Sequence, residues 1–300
     1  LAKRCLKIFS IPAASGLLRG LMKFLSFAAV IVPLLAAHCA NIQKEDTGGN
    51  AAKNNNSGTN TASAASGIYL ADTVTEAPGH TGVGIYNSSG IIDGVRGAGT
   101  AAGATTGIFS LDNSGSSSHV VVRWAGKKIK NGAGIDFIVF ENAFYVSGNS
   151  AARFMDLAFV EVSNDNISYC GFAPDYTNAP ETSYSNNPAA WPRFAGKTPV
   201  LYNLDTNNLS AAQLFQDNDA NKEPDLAGGD AFDLDDLADN NAYGTGCTTA
   251  LRNELRANGF TYLKLIPAAR RINPDTGAAF VADGVSTGPD FDGIAARYIE

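Results

Sequence analysis

Two short, almost unbroken apolar runs constrain this chain more than any other feature: Ile135-Asp136-Phe137-Ile138-Val139-Phe140 and Leu157-Ala158-Phe159-Val160-Glu161-Val162. They lack the strict alternation of a strand with one wet face, so they predict central strands covered on both faces, or strands of a sandwich core. Residues 119–124 and 262–266 are further β-like segments, and all four are bounded by Gly, Asn, Ser or Pro. Helical signals are few. Ser210-Ala211-Ala212-Gln213 fits a capping box opening a short helix to about Gln216. A second helix is expected over residues 249–258, with Leu251 and Leu255 four apart and Gly259 placed to end it. Two short helices among many strands and long Gly/Asn loops predict a mainly β domain, a jelly-roll-like β-sandwich.

The 300 residues divide into three zones. From Met22 the chain carries Lys23 and then an apolar stretch from Phe24 to Ala37, too short to span a bilayer and suited to a signal peptide. The charge and the apolar run begin so cleanly at Met22 that translation is expected to start there, with residues 1–39 as the leader zone. Leu35-Ala36-Ala37-His38-Cys39 resembles a lipobox, with His38 where a small residue is usual, and marks Cys39 for acylation. Several acyl chains anchor firmly, at about 0.8 kcal/mol per buried methylene. Ordinary signal-peptidase cleavage, giving a secreted or periplasmic protein, is the alternative. Residues 40–66 are rich in Asn, Gly, Ser, Thr and Ala without apolar periodicity and read as a disordered tether. Residues 67–300 suffice for one domain with a large core.

Net charge is −7, and five basic groups fall in the first 38 residues, leaving 17 basic against 29 acidic residues beyond them. Such a surface repels phosphate backbones, so nucleic acid is not an expected partner, whereas divalent cations are. Outside the leader zone, Cys170 and Cys247 form an even pair that permits one disulfide across a long loop; two unpaired buried thiols are the other reading.

Calcium is the cofactor the acidic clusters suggest. Asp217, Asp219 and Asn221 place oxygens at alternate positions of one loop, as a hard cation requires. Lys222 stands where an EF-hand needs glycine and Gly228 where it needs glutamate, so an EF-hand is excluded. Asp230, Asp233, Asp235 and Asp236 form a second acidic group, best read as solvated. Asp290 and Asp292 flank Phe291, while Glu141 and Asn142 end the most apolar strand, and these four complete the candidate metal ligands. Trp191, Tyr184 and Tyr176 lie in a long polar region, where packing against the sandwich is the first reading and stacking on a ligand the other. Gly284-Val285-Ser286-Thr287-Gly288 matches a nucleophile elbow in form, but Pro289 follows at once and no histidine comes later, so it reads as a turn.

Five ordered blocks carry a family likeness. They are residues 132–144 around Phe137-Ile138-Val139-Phe140-Glu141-Asn142-Ala143-Phe144, then Ala158-Phe159-Val160-Glu161-Val162-Ser163-Asn164-Asp165, Phe194-Ala195-Gly196-Lys197, Gly229-Asp230-Ala231-Phe232-Asp233-Leu234 and Asp290-Phe291-Asp292-Gly293-Ile294. In this order they resemble the blocks of a family of bacterial cell-surface proteins, nearest to its leptospiral cell-wall branch, a spirochaete group whose loose lipoboxes match His38. Asn166 and Gly293 depart from the pattern at turn positions. The resemblance implies a β-sandwich surface domain and no catalytic residues. Together these readings predict a lipid-anchored protein of the cell surface or outer membrane, an adhesin-like binding or structural module for a glycan, envelope or host-matrix component. The alternative is a carbohydrate-active hydrolase that uses Glu141 with Glu161 or another carboxylate.

Overall fold

The structure, a computed structural model, describes residues 65–81, 88–114 and 117–300. The leader, Cys39 and the tether up to residue 64 lie outside the described residues. The first strand begins at Ala65, two residues ahead of the expected domain start.

The fold is mainly β, with two antiparallel sheets packed face to face. One sheet runs in the order β1 (Ala65–Leu70), β12 (Asp290–Ile299), β5 (Phe137–Glu141) and β10 (Asp230–Phe232), and β3 (Phe109–Ser110) pairs with the start of β12. The other runs β2 (Thr73–Glu76), β4 (Val120–Arg123), β11 (Tyr262–Pro267), β8 (Ala158–Ser163) and β9 (Cys170–Gly171). A separate hairpin joins β6 (Phe144–Val146) to β7 (Asn149–Phe154). The last strand lies between β1 and β5, and β11 between β4 and β8, which is jelly-roll connectivity.

Each apolar run is unbroken because its strand is covered twice. Phe137 and Val139 of β5 face the other sheet, meeting Val160 and Val162 of β8 and Leu263 and Leu265 of β11 in the main core. On the opposite face of β5, Ile138 and Phe140 lie under Val200, Tyr202, Leu214 and Phe215. Phe159 of β8 points outward beneath Trp191, Phe194 and Phe280. Each fully buried large side chain contributes about 1.5–3 kcal/mol, so the long connections that cover the sheets are packed structure.

This coverage takes the packing reading of the aromatics and leaves the ligand-stacking one without a surface. Trp191 is 0% exposed and Tyr176 2%; their rings stack at 3.7 Å, and Trp191 Nε1 donates to the Ser185 carbonyl at 2.9 Å. Tyr184 is half-buried, with its hydroxyl donating to the Met155 carbonyl at 2.7 Å. These rings roof the outer face of β8 and offer a ligand no free face.

Both helices form. Ser210 and Gln213 make the capping box of α1 (Ala211–Leu214), which stops two residues before Gln216. Thr248 caps α2 (Thr249–Asn258), and Gly259 ends it at φ 76°, where an added Cβ would come within 1.9 Å of the Ile129 carbonyl oxygen. Cys170 and Cys247 form a disulfide, with Cα atoms 4.9 Å apart and a sequence separation of 77. It ties β9 to the segment that enters α2. Closing a loop of that length is worth about 4 kcal/mol through the unfolded chain. The paired substitution Cys170→Ser with Cys247→Ser is expected to lower unfolding stability by about that amount in urea titrations; a loss below about 1 kcal/mol would contradict a stabilising bridge.

Candidate functional site

Three groups of chemistry-bearing side chains emerge. The first lines a cavity of about 480 Å³ beside β10, walled by Phe172, Phe194, Phe232, Pro188 and Pro192. Among its charged residues, three come from different directions and meet: Arg153 from β7, Lys197 from the segment after Phe194, and Glu223 from the loop before β10. Glu223 accepts from Lys197 Nζ at 2.7 Å and from Arg153 Nη2 at 3.0 Å. Asp230, fully buried, accepts the Gly196 and Lys197 backbone N–H groups at 2.7 and 2.9 Å and the Thr198 hydroxyl at 2.8 Å, with Lys197 Nζ 3.5 Å away. Asp230 was expected to be solvated with its acidic neighbours; it is instead the acceptor that holds the Gly196–Thr198 corner. Burial lifts its carboxyl above the ordinary carboxylate range despite Lys197. Burial also pushes Glu223 up, but Lys197 and Arg153 outweigh it and hold the carboxyl below its ordinary value.

The second group is the acidic loop. Oxygens of Asp217, Asp219 and Asp225 lie within 4.8 Å of one another, an exposed triad that could hold a metal ion. The loop is wound tightly by left-handed Ala220 (φ 55°) and Lys222 (φ 65°), and the Asp217 carboxylate accepts the Asn221 and Lys222 amides at 3.2 and 2.9 Å. The Asn221 side-chain oxygen accepts the Glu223 N–H at 2.6 Å, and its amide nitrogen donates to Asp219 at 3.1 Å. Asp225 takes the third place in the triad. It stands at position nine counted from Asp217, where such loops supply an oxygen, so continuing the alternation four residues further would have found it. Asn221, Lys222 and Glu223 also line the 480 Å³ cavity, so loop and cavity share a wall.

The third group sits at the end of the sandwich where β5 finishes and β12 begins. Glu141, 2% exposed, accepts the Asp290 N–H at 3.1 Å through Oε1. Asp156, just ahead of β8, accepts the Ser286 hydroxyl at 2.6 Å. Ser286 also accepts the Gly288 N–H at 2.9 Å, so the elbow-like segment is a turn, as its sequence indicates. Burial, then repulsion from Asp156, raises the Glu141 carboxyl well above its ordinary value, and burial lifts Asp156 to about 7.

The four residues expected to ligate metal here do not converge. Asn142 is spent on the connection before β3, its amide nitrogen donating to the Ala104 carbonyl at 3.1 Å and its oxygen accepting the Ala104 N–H. Asp292, 0% exposed, turns both oxygens to the Arg96 N–H at 3.1 and 3.0 Å. A register shift between Phe291 and Gly293 separates it from the strand pattern that suggested a shared face. Glu141 and Asp290 remain together, joined by Asp156. Glu161 lines a different cavity of about 520 Å³, ion-paired with Arg271 and 3.7 Å from Lys264 Nζ, and Glu141 lines neither large cavity. The Glu141–Glu161 pairing suggested for a hydrolase therefore has no common cavity.

No family model, curated protein or solved structure matches this chain.

The Glu223 pairing predicts a pH signature. Its folded carboxyl titrates below the ordinary 4.5, so its contribution is complete above that value and is lost as pH falls through the folded pKa. Glu223→Gln is expected to cost about 1–3 kcal/mol near pH 7. The gap to wild type should shrink on acidification below about pH 4.5. A gap that stays constant down to about pH 3 would contradict the pairing.

Proposed function

We propose that this chain is an exported, surface-anchored binding module that takes a glycan of the envelope or host matrix into the cavity beside β10, with calcium on Asp217, Asp219 and Asp225 setting one wall. The observation that carries this reading is the shared wall: the segment that winds the acidic triad also lines the cavity with Asn221, Lys222 and Glu223. Filling the triad with a hard cation offsets the repulsion of three carboxylates and stiffens the loop. The walls suit a sugar. Phe172, Phe194 and Phe232 are themselves 2%, 0% and 4% exposed, so they close the apolar back of the cavity, and the donors a sugar hydroxyl would meet are the Arg153 and Lys197 side chains held beside Glu223.

Export is supported by the apolar leader after Met22 and by the Cys170–Cys247 disulfide, a bond that persists in oxidising compartments. In this proposal Cys39 carries the acyl anchor, and the chain is a relative of the cell-surface proteins that its five blocks resemble. Mass spectrometry of the native N-terminus should find an acylated Cys39; a peptide that reads through it unmodified would overturn the anchor.

The binding reading is tested on a glycan array with calcium and with chelator, followed by calorimetry on the hits. Chelation, or Asp219→Asn with Asp225→Asn, is expected to weaken binding about ten-fold or more. Affinity indifferent to both would remove calcium from the proposal. Reducing-sugar release that disappears in Glu141→Gln would replace binding with hydrolysis.

A further inference from the structure

An amine and two carboxyl groups meet in the interior where the segment after Phe194 reaches β10. Lys197 is 7% exposed and Asp230 2%. Lys197 Nζ stands 3.5 Å from Asp230 Oδ1 and 2.7 Å from Glu223 Oε1. The other Asp230 oxygen, Oδ2, accepts two backbone N–H groups, from Gly196 at 2.7 Å and Lys197 at 2.9 Å. Gly196, at φ 92°, is the residue whose left-handed backbone turns both amides onto one oxygen. Oδ1 accepts the Thr198 hydroxyl at 2.8 Å. An amine, a carboxyl with one oxygen cradled by two amides, and a second carboxylate touching the amine are the parts of an acyl-transfer centre. Buried Phe172, Phe194 and Phe232 back it with apolar surface. Burial raises the Asp230 carboxyl toward its protonated form, whose hydroxyl can leave as water.

We propose that Lys197 and Asp230 condense into an intramolecular isopeptide bond, with Glu223 moving the protons. Glu223 takes a proton from the Lys197 ammonium, and the freed electron pair attacks the Asp230 carboxyl carbon to form a C–N bond. Oδ2 becomes an oxyanion and keeps the Gly196 and Lys197 N–H groups as its donors. Glu223 passes its proton to the Oδ1 hydroxyl, the C–Oδ1 bond breaks as the carbonyl reforms, and water leaves. A second proton then passes from the nitrogen to Glu223. Ammonium, carboxylic acid and carboxylate thus become amide, water and a protonated Glu223, with no oxidant or activating group. The fold holds the two reacting groups together, which supplies the effective concentration that a free amine and acid lack. Arg153, 3.0 Å from Glu223, stays its partner after the bond closes, and the new amide keeps one N–H on Lys197 as a donor. The bond ties the two sheets: Ala195 pairs with Ala158 of β8, whereas Asp230 opens β10 beside β5.

The test is a peptide map of the purified full-length protein, reduced, denatured and cut with trypsin. One species should carry the Lys197 and Asp230 segments joined, at the sum of their masses less one water, with no cut between Lys197 and Thr198. Lys197→Arg and Asp230→Ala should each abolish that species. Glu223→Gln should slow its formation after refolding by about 100-fold or more, with near-ultraviolet circular dichroism showing that the variant folds. Folded wild-type protein that yields only separate Lys197 and Asp230 peptides would overturn the proposal and leave an ion pair, and this outcome needs no variant. A joined species that forms equally fast in Glu223→Gln would overturn the role given to Glu223.

Discussion

The structure depends on one constraint: long connections folded back over both sheets bury backbone N–H groups, and those that reach no strand carbonyl need another acceptor. Carboxylates meet this need. Asp136, at the entry to β5, accepts the Gly132 and Leu234 amides at 2.8 Å each. Asp230 accepts Gly196 and Lys197, and Asp292 accepts Arg96. Each of these acids lies at a junction between a strand and a covering segment. The covering segments in turn bury the outer faces of β5 and β8, and their fold determines where the 480 Å³ cavity lies.

The acidity of the domain therefore divides by structural role. Some carboxylates clamp amides, some pair with cations around the cavity, and some remain exposed on the loop from Asp217 to Asp225. Glu141 and Asp290 fit none of these roles completely, because each keeps a buried oxygen without a partner. The disulfide and the cluster at Glu141 sit on different strands: Cys170 secures β9, whereas Glu141 and Asp290 end β5 and begin β12.

Local pattern made much of the fold legible. The unbroken runs became β5 and β8, residues 262–266 fell within β11, and the capping box and Gly259 marked both helices, because hydrophobic period and cap chemistry are properties of neighbouring residues. The cavity was not legible, since Arg153, Lys197 and Glu223 meet only after the chain has folded over β10. The polar neighbours of Trp191 do not reveal its burial: the Pro188–Phe194 segment turns its ring inward onto Tyr176 while Asn187 and Ala189 stay outside. Asn142 gave no local sign of its attachment to Ala104, 38 residues away. Asp156 stands alone between Met155 and Leu157, and nothing nearby in sequence marks it as a partner of Glu141. Asp292 was misjudged because the register shift after Phe291 interrupts strand alternation.

Hydrogen exchange, resolved by residue, tests the carboxylate-clamp account most directly. The amides of Arg96, Gly132, Gly196, Lys197 and Leu234 lie in or beside loops, yet each donates to a buried carboxylate. The account predicts protection approaching that of the β5 amides, with opening free energies near the global value. Exchange of these five at the rates of unstructured loops would contradict it.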